Sequence, residues 1–383
     1  MIAKAPARRS APTVALAGLV ALAVAMGIGR FAFTPILPMM QEDAGVSIAM
    51  GGWLASANYV GYLAGALSVI WWRIGATTGI RAGLATIGLA TLAMGLAHHF
   101  VAWLLLRALA GVASAWVLIY VSAWCLESLA SLGRPALSNT VYAGVGTGIA
   151  LAGGLCLALM HVGAGSTRAW MVLGVLSIVL SLGIWTVFRS RVCPPAADAG
   201  RSAARGMVWD RESVRLVLCY GAFGFGYIIP ATFLPVMAKQ VVRDPAVFGW
   251  SWPVFGVAAM GSTLATAMLR SFVTNRRLWV ASHLVMAVGV ALPIVWPGIA
   301  PIMLAALFVG GTFMVITMVG MQEARSVGGA HATGLMAAMT SAFALGQIAG
   351  PISVSLAVGV GGNVSAALAI ACVALVVSAY ALT

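Results

Sequence analysis

Two arginines sit where arginine is costly. Arg30 and Arg107 each interrupt a long apolar stretch. A guanidinium at membrane depth costs several kcal/mol and marks a functional position by default. At 1.5 Å rise per helical residue, Arg30 lies roughly 15 Å from the end of its stretch. Arg107 lies roughly 10 Å into its own, from the same side. The two therefore fall near one level, and none of the eight Asp and Glu shares that depth. Two guanidiniums without a carboxylate attract an anion, and the arginine fork matches carboxylate or phosphate. The competing reading is that each side chain snorkels outward toward Glu42 or Asp43, or donates to helix carbonyls.

The elements that must position these arginines follow from composition. Of 383 residues, 62% are hydrophobic and 8% charged, with a mean hydropathy of +1.04. A water-soluble chain of this length needs more polar surface. Apolar runs fall at about 12–40, 48–72, 82–98, 100–128, 137–161, 169–188, 214–238, 246–269, 278–296, 299–321, 333–358 and 363–382. A spanning helix needs ~20 such residues, and continuous runs of this length satisfy the backbone in lipid as helices. The expected fold is all-α integral membrane, with twelve transmembrane helices.

The charges support that count. Of the 21 Lys and Arg, sixteen fall in the N-terminal tail and every second connection, three on the other side, and two are Arg30 and Arg107. Such a split places both termini in the cytoplasm. It also accounts for the net charge of +13 without nucleic acid, for which no basic, aromatic-interleaved run exists. The N-terminus is basic and then apolar, with Ala21-Leu22-Ala23 as a cleavage-like site. Its apolar run is longer than a signal-peptide core, so it is expected to stay. The five Cys show no paired spacing, and neither disulfide nor metal site is expected.

Residues 25–40 (AMGIGRFAFTPILPMM) and 222–237 (AFGFGYIIPATFLPVM) align without gaps, with six of sixteen positions identical. Self-similarity at half the chain length signals a duplicated unit, here a parallel repeat of six spans. The expected domains are a six-helix bundle over 1–188, a cytoplasmic linker over 189–213 rich in Arg, Ala and Pro, and a second six-helix bundle over 214–383.

The segment GIGRFAFTPILPMM in span 1, with FALGQIAGP (343–351) in span 11, resembles the YbfB/YjiJ family of the major facilitator superfamily. Parallel six-span repeats relate the two halves of that superfamily. The resemblance covers essentially the whole chain. It implies alternating access and a central cavity lined mainly by spans 1, 4, 7 and 10. Arg107-x-x-x-Gly111 resembles a motif often found in span 4. The connection between spans 2 and 3 has Gly65, Arg73 and Arg81 but lacks the usual Asp, and GVGTGIALAGG (144–154) lacks the Pro of antiporters. Both departures weigh against gating through that Asp and against drug/proton antiport.

The substrate-binding candidates are Arg30, Arg107, Tyr227 (aligned with Arg30 in the repeat) and Gln347, the last two with inter-helix packing as the alternative. The gating candidates are Glu127 and Glu323, at equivalent ends of spans 4 and 10. Arg73 and Arg81 lie near the first, and Arg270, Arg276 and Arg277 near the second. Ion pairs there would close the cytoplasmic side; the alternative is solvated charge worth ~0–1 kcal/mol each. Gly61/Gly65, Gly144/Gly148 and Gly346/Gly350 are spaced for close helix packing. His98, His99 and His161 read as interfacial and His283 as structural.

No phosphate-cradling GxxxxGK[ST] loop is present, so ATP-driven pumping is excluded, and no nucleophile, acid pair or metal cluster suggests an enzyme. The expected function is secondary active transport of a small organic solute across the cytoplasmic (inner) membrane: an anion, or an exported metabolite or drug. A transport-inactive membrane sensor or partner protein with the same fold is the alternative. The expected partners are a small-molecule substrate and the lipid bilayer, with a coupling proton left open. A monomer is expected, with no cofactor and no nucleic acid.

Overall fold

The structure, a computed structural model, describes residues 10–72, 74–188, 209–241, 250–269, 272–296, 298–359 and 364–383. All regular elements among the described residues are helical. Span 1 is composite, running from Ala11 to Asp43. Spans 2 to 6 are Ile48–Trp71, Ala76–Leu96, Phe100–Ser131, Ser138–His161 and Ser166–Ile184. Spans 7 to 12 are Arg211–Val241, Ser251–Leu269, Asn275–Val295, Ile299–Gly328, Ala332–Gly359 and Val364–Ala381. Ten stretches are long and apolar enough to cross a bilayer. One of these, Ala300–Ser353, holds spans 10 and 11 around a three-residue 3-10 turn at Gly329–His331, and span 12 adds a shorter apolar helix. The linker expected over 189–213 lies mostly outside the described residues, as does Arg73.

Side-chain oxygens cap the helix starts where the free N–H groups need acceptors. Ser47 accepts from the Met50 N–H at 3.1 Å and Asp210 from the Ser213 N–H at 2.8 Å. Asp43 instead reaches another element. It accepts from the Ser166 N–H and, at 2.7 Å, from the Ser166 hydroxyl, tying the end of span 1 to the start of span 6.

The two halves repeat one packing scheme. In the first, span 1 packs on 5, 2 on 4, 3 on 4 and 3 on 6; in the second, 7 packs on 11, 8 on 10, 9 on 10 and 9 on 12. Glycine makes the closest contacts possible. A Cβ on Gly61 would overlap the Ala108 carbonyl, one on Gly144 the Leu19 carbonyl, and one on Gly346 the Gly221 carbonyl. Gly27 and Gly148 meet backbone to backbone, and Gly224 meets Phe343 at the corresponding place in the second half. Between the halves, span 2 lies against 11 and span 5 against 8.

Span 3 begins six residues before its expected start at 82. The reason is Arg81, which hydropathy places outside. Its guanidinium lies 4.3 Å from the Trp185 ring centre in the span 6 segment, so the helix carries it on an aromatic face.

Candidate functional site

Span 1 is broken where it carries Arg30. Ala23–Ile28 form a π-helix, in which Gly29 N–H donates to the Val24 carbonyl at 2.8 Å and Phe31 N–H to Met26 at 3.1 Å. Residues 29–32 then turn, and a second α-helix starts at Phe33. Pro35 lacks an N–H, so the Phe31 carbonyl accepts from Thr34 instead, at 3.2 Å. Among the described residues no backbone N–H bonds the Gly29 or Arg30 carbonyl.

Arg107 takes both carbonyls. Its Nη1 donates to Gly29 O at 3.4 Å, its Nη2 to Arg30 O at 3.5 Å, and its Nε to Leu54 O of span 2 at 3.4 Å. The guanidinium lies 4.5 Å from the Phe33 ring centre. Ser114, two turns further along the same face of span 4, donates to Ala25 O at 2.8 Å. Asn58 of span 2 donates to the Arg107 carbonyl at 3.0 Å. Span 4 thus supplies the donors that the break in span 1 requires.

Arg30 is placed differently. Its Nη2 donates to the Gln347 side-chain carbonyl of span 11, across 317 residues of sequence. The guanidinium stacks on Tyr62, 3.9 Å from the ring centre, with Tyr59 at 5.5 Å and Phe31 at 5.7 Å. Arg30 is 3% exposed, and Gln347 and Tyr62 are 0% exposed. Yet Arg30 Nη1, Gln347 Nε2 and the Tyr62 hydroxyl have no hydrogen-bond partner among the described residues. A desolvated polar group without a partner costs about 1–3 kcal/mol, more for a charged one. The three donors, one of them on the Arg30 guanidinium itself, come from spans 1, 2 and 11, and no Asp or Glu shares their depth.

A family model described as "Uncharacterised MFS-type transporter YbfB" matches residues 22–383. The chain belongs to this MFS-type transporter family. A curated relative, "Uncharacterized MFS-type transporter YceJ" of Bacillus subtilis (strain 168), is 35% identical over 97 residues, 24% of either chain. The match thus spans about a quarter of that relative's length. Among solved structures, the human organic anion transporter MFSD10 (TETRAN) superposes with a TM-score of 0.75 at 15% identity. That superposition covers 98% of this chain and all of the human one, and at such identity it speaks for the fold. MFS-type transporters are not enzymes, and the all-helical, two-bundle membrane fold is theirs.

The remaining candidates fall into two groups in this MFS-type transporter. Tyr227 is buried and stacked on Phe313, with ring centres 4.8 Å apart and planes at 13°. Phe31 meets Phe313 edge-on at 5.8 Å and Trp252 at 6.3 Å. Tyr227 therefore belongs to an aromatic wall beside Arg30, built from spans 1, 7, 8 and 10. Sequence reading missed Tyr62, Tyr59 and Phe31. The one available signal was a polar-aromatic cluster, Asn58-Tyr59 and Tyr62, within an otherwise apolar span 2.

At the basic face of the bundle, Arg276 bonds Glu323 at 3.3 Å, and both Arg276 and Arg215 pair with Glu212. All four residues lie in the second half. Glu212 was not among the expected residues; its sign is an acid in the first turn of span 7. Arg277 and Glu127 are exposed and make no ion pair among the described residues. Arg81 lies on Trp185 rather than on Glu127. The described contacts that cross between halves here are uncharged. Gln322 donates to the Ser138 hydroxyl at 3.1 Å, and Asn139 donates to the Thr263 carbonyl at 3.0 Å and the Thr266 hydroxyl at 2.8 Å.

Proposed function

We propose that this chain is a secondary transporter that moves a small organic anion across the cytoplasmic membrane by alternating access. Both termini lie in the cytoplasm, and the chain works as a monomer with six-helix domains over 1–188 and 214–383. The observation that carries this reading is Arg30: a buried, acid-free guanidinium with an unused donor, held against Gln347 of the other half. A ligand that bonds both residues touches both bundles, as a substrate that couples to their rocking must. No Asp or Glu reaches this depth, so a coupling proton travels on the substrate rather than on a membrane-buried acid.

Purified protein in liposomes, loaded with organic acids, tests this directly. Arg30→Gln removes the charge at similar length and should lower counterflow about 10- to 100-fold, the equivalent of ~1.5–3 kcal/mol for bonds to a charged group. Counterflow at the wild-type rate would end the proposal. Binding with no flux in the wild-type protein would make the chain a sensor.

Asn139 and Gln322 serve, in this reading, as the latch between halves at the cytoplasmic face, and Glu212, Arg276 and Glu323 brace the second half. Asn139→Ala removes two buried hydrogen bonds worth ~1 kcal/mol each. It should raise maleimide labelling of a cysteine placed at the buried Ala143, one turn along span 5, about tenfold or more. Because the latch is neutral, this labelling should hardly change between low and high salt. A labelling rate that Asn139→Ala leaves unmoved, or that follows ionic strength, would return the gate to the charged residues.

A further inference from the structure

We infer that the ligand is a monoanion that joins one carboxylate to a flat apolar body such as an aromatic ring. This rests on the anion-transport reading above and narrows it to a class.

The charge count comes first. Of the Lys and Arg, only Arg30 and Arg107 lie more than five residues from the nearer end of a span, and Arg107 donates to the carbonyls of Gly29, Arg30 and Leu54. One guanidinium keeps an unused donor, Arg30 Nη1, and so can hold one carboxylate in direct contact. A second carboxylate would be buried with no guanidinium free to bond it directly, because the Arg107 fork is held by carbonyls, and an unpaired buried charge costs more than a hydrogen bond returns. A cationic ligand would face Arg30 with no acid to hold it.

The donors come next. Arg30 Nη1 and Gln347 Nε2 lie on either side of the Arg30–Gln347 bond and are unused, as is the Tyr62 hydroxyl. A carboxylate has two oxygens with about four acceptor sites. It can take Arg30 Nη1 on one oxygen and Gln347 Nε2 on the other, with the Tyr62 hydroxyl as a third donor. A neutral alcohol or amide would leave most of these unmatched.

The walls set the body of the ligand. Beyond the guanidinium, Phe31, Phe313, Tyr227 and Phe343 form a run of rings with centres 4.8–6.2 Å apart. These rings are buried against one another in this structure, so a flat body enters by parting them and takes over stacked or edge-on contacts worth ~0.5–1.5 kcal/mol beyond area burial. A flexible alkyl chain gains less there. Trp252 stacks on Phe255 at 5.3 Å, and its Nε1 has no partner. It offers a donor to an acceptor group at the far end of such a body.

Thermal shift and intrinsic fluorescence of the full chain in detergent test this with four probes: phenylacetate, hexanoate, terephthalate and benzylamine. Phenylacetate should bind, hexanoate and terephthalate about tenfold or more weaker, and benzylamine not at all. Arg30→Gln should weaken phenylacetate about 10- to 100-fold, and Tyr62→Phe, which keeps the ring, several-fold. Phe313→Ala should shift the preference from phenylacetate toward hexanoate. Terephthalate or hexanoate binding as tightly as phenylacetate, in an Arg30-dependent way, overturns the class and leaves the anion reading standing. Anion binding that Arg30→Gln leaves unchanged, in protein of wild-type melting temperature, overturns both. Failure of all four probes to bind the folded wild-type chain also overturns the inference.

Discussion

Replacing Arg107 with methionine should destabilise the protein by ~3–5 kcal/mol while leaving the anion affinity of the folded fraction within a few-fold of wild type. The argument is one of unsatisfied backbone. Arg107 donates to three carbonyls, two of them in the broken stretch of span 1. Each bond is long, so ~1 kcal/mol apiece is the fitting scale. Loss of the Phe33 contact adds ~1–2 kcal/mol at a desolvated site. Methionine fills volume but donates nothing, and the freed carbonyls have no water at that depth. Arg107→Lys keeps the charge and should recover only part of the loss, because an ammonium cannot reach three carbonyls in a fork. Melting temperature and ligand affinity, measured on the same preparation, separate the roles. Weakened binding at unchanged melting temperature would make Arg107 a ligand of the substrate.

Gly148→Ala should be among the most damaging single methyls in the first half, at ~2–3 kcal/mol or more. Gly148 lies against the backbone of Ala23 and Gly27 in span 1. A Cβ there meets main chain, which cannot swing aside as a side-chain end can, so spans 1 and 5 must separate along their contact. Gly154, on the same helix, has nothing within 4 Å of its would-be Cβ and is exposed. Gly154→Ala should therefore be neutral or stabilising by up to ~1 kcal/mol through helix propensity. The two variants should move the yield of monodisperse protein in opposite directions. Equal tolerance of both would show that the close backbone contact is not what holds span 5 to span 1.

Much of this architecture was legible in the sequence because lipid imposes simple rules. Length, apolarity and alternating charge located most span ends within about four residues, with span 10 running seven residues past its expected end, and the Gly27/Gly224 repeat announced the duplication. Hydropathy erred where a charged residue has an aromatic seat, as Arg81 does on Trp185. It could place Arg30 and Arg107 at one level but not distinguish them. Their difference lies in which carbonyls the π-helix leaves free, and that depends on hydrogen bonding rather than composition. Gln347 drew notice only as a polar residue in span 11; nothing local joins it to Arg30 across 317 residues. The ion cluster was half visible. Glu323 and Arg276 stand at adjacent helix ends, but Glu212 enters from span 7 and draws the cluster into one half.

The missing counter-acid at Arg30 has an electrical consequence. On the anion-transport reading, a bound monocarboxylate offsets Arg30 and leaves Arg107, so the loaded carrier holds one positive charge fewer at its centre than the empty one. An interior-negative voltage pulls on that charge by up to ~2.3 kcal/mol per 100 mV across the full drop. Net transport then moves one charge per cycle, whereas exchange of one anion for another carries the same charge out and back and moves none. Potassium-diffusion potentials set with valinomycin should alter net efflux more than one-for-one exchange; equal sensitivity of both would show that the bound anion does not cancel charge at Arg30.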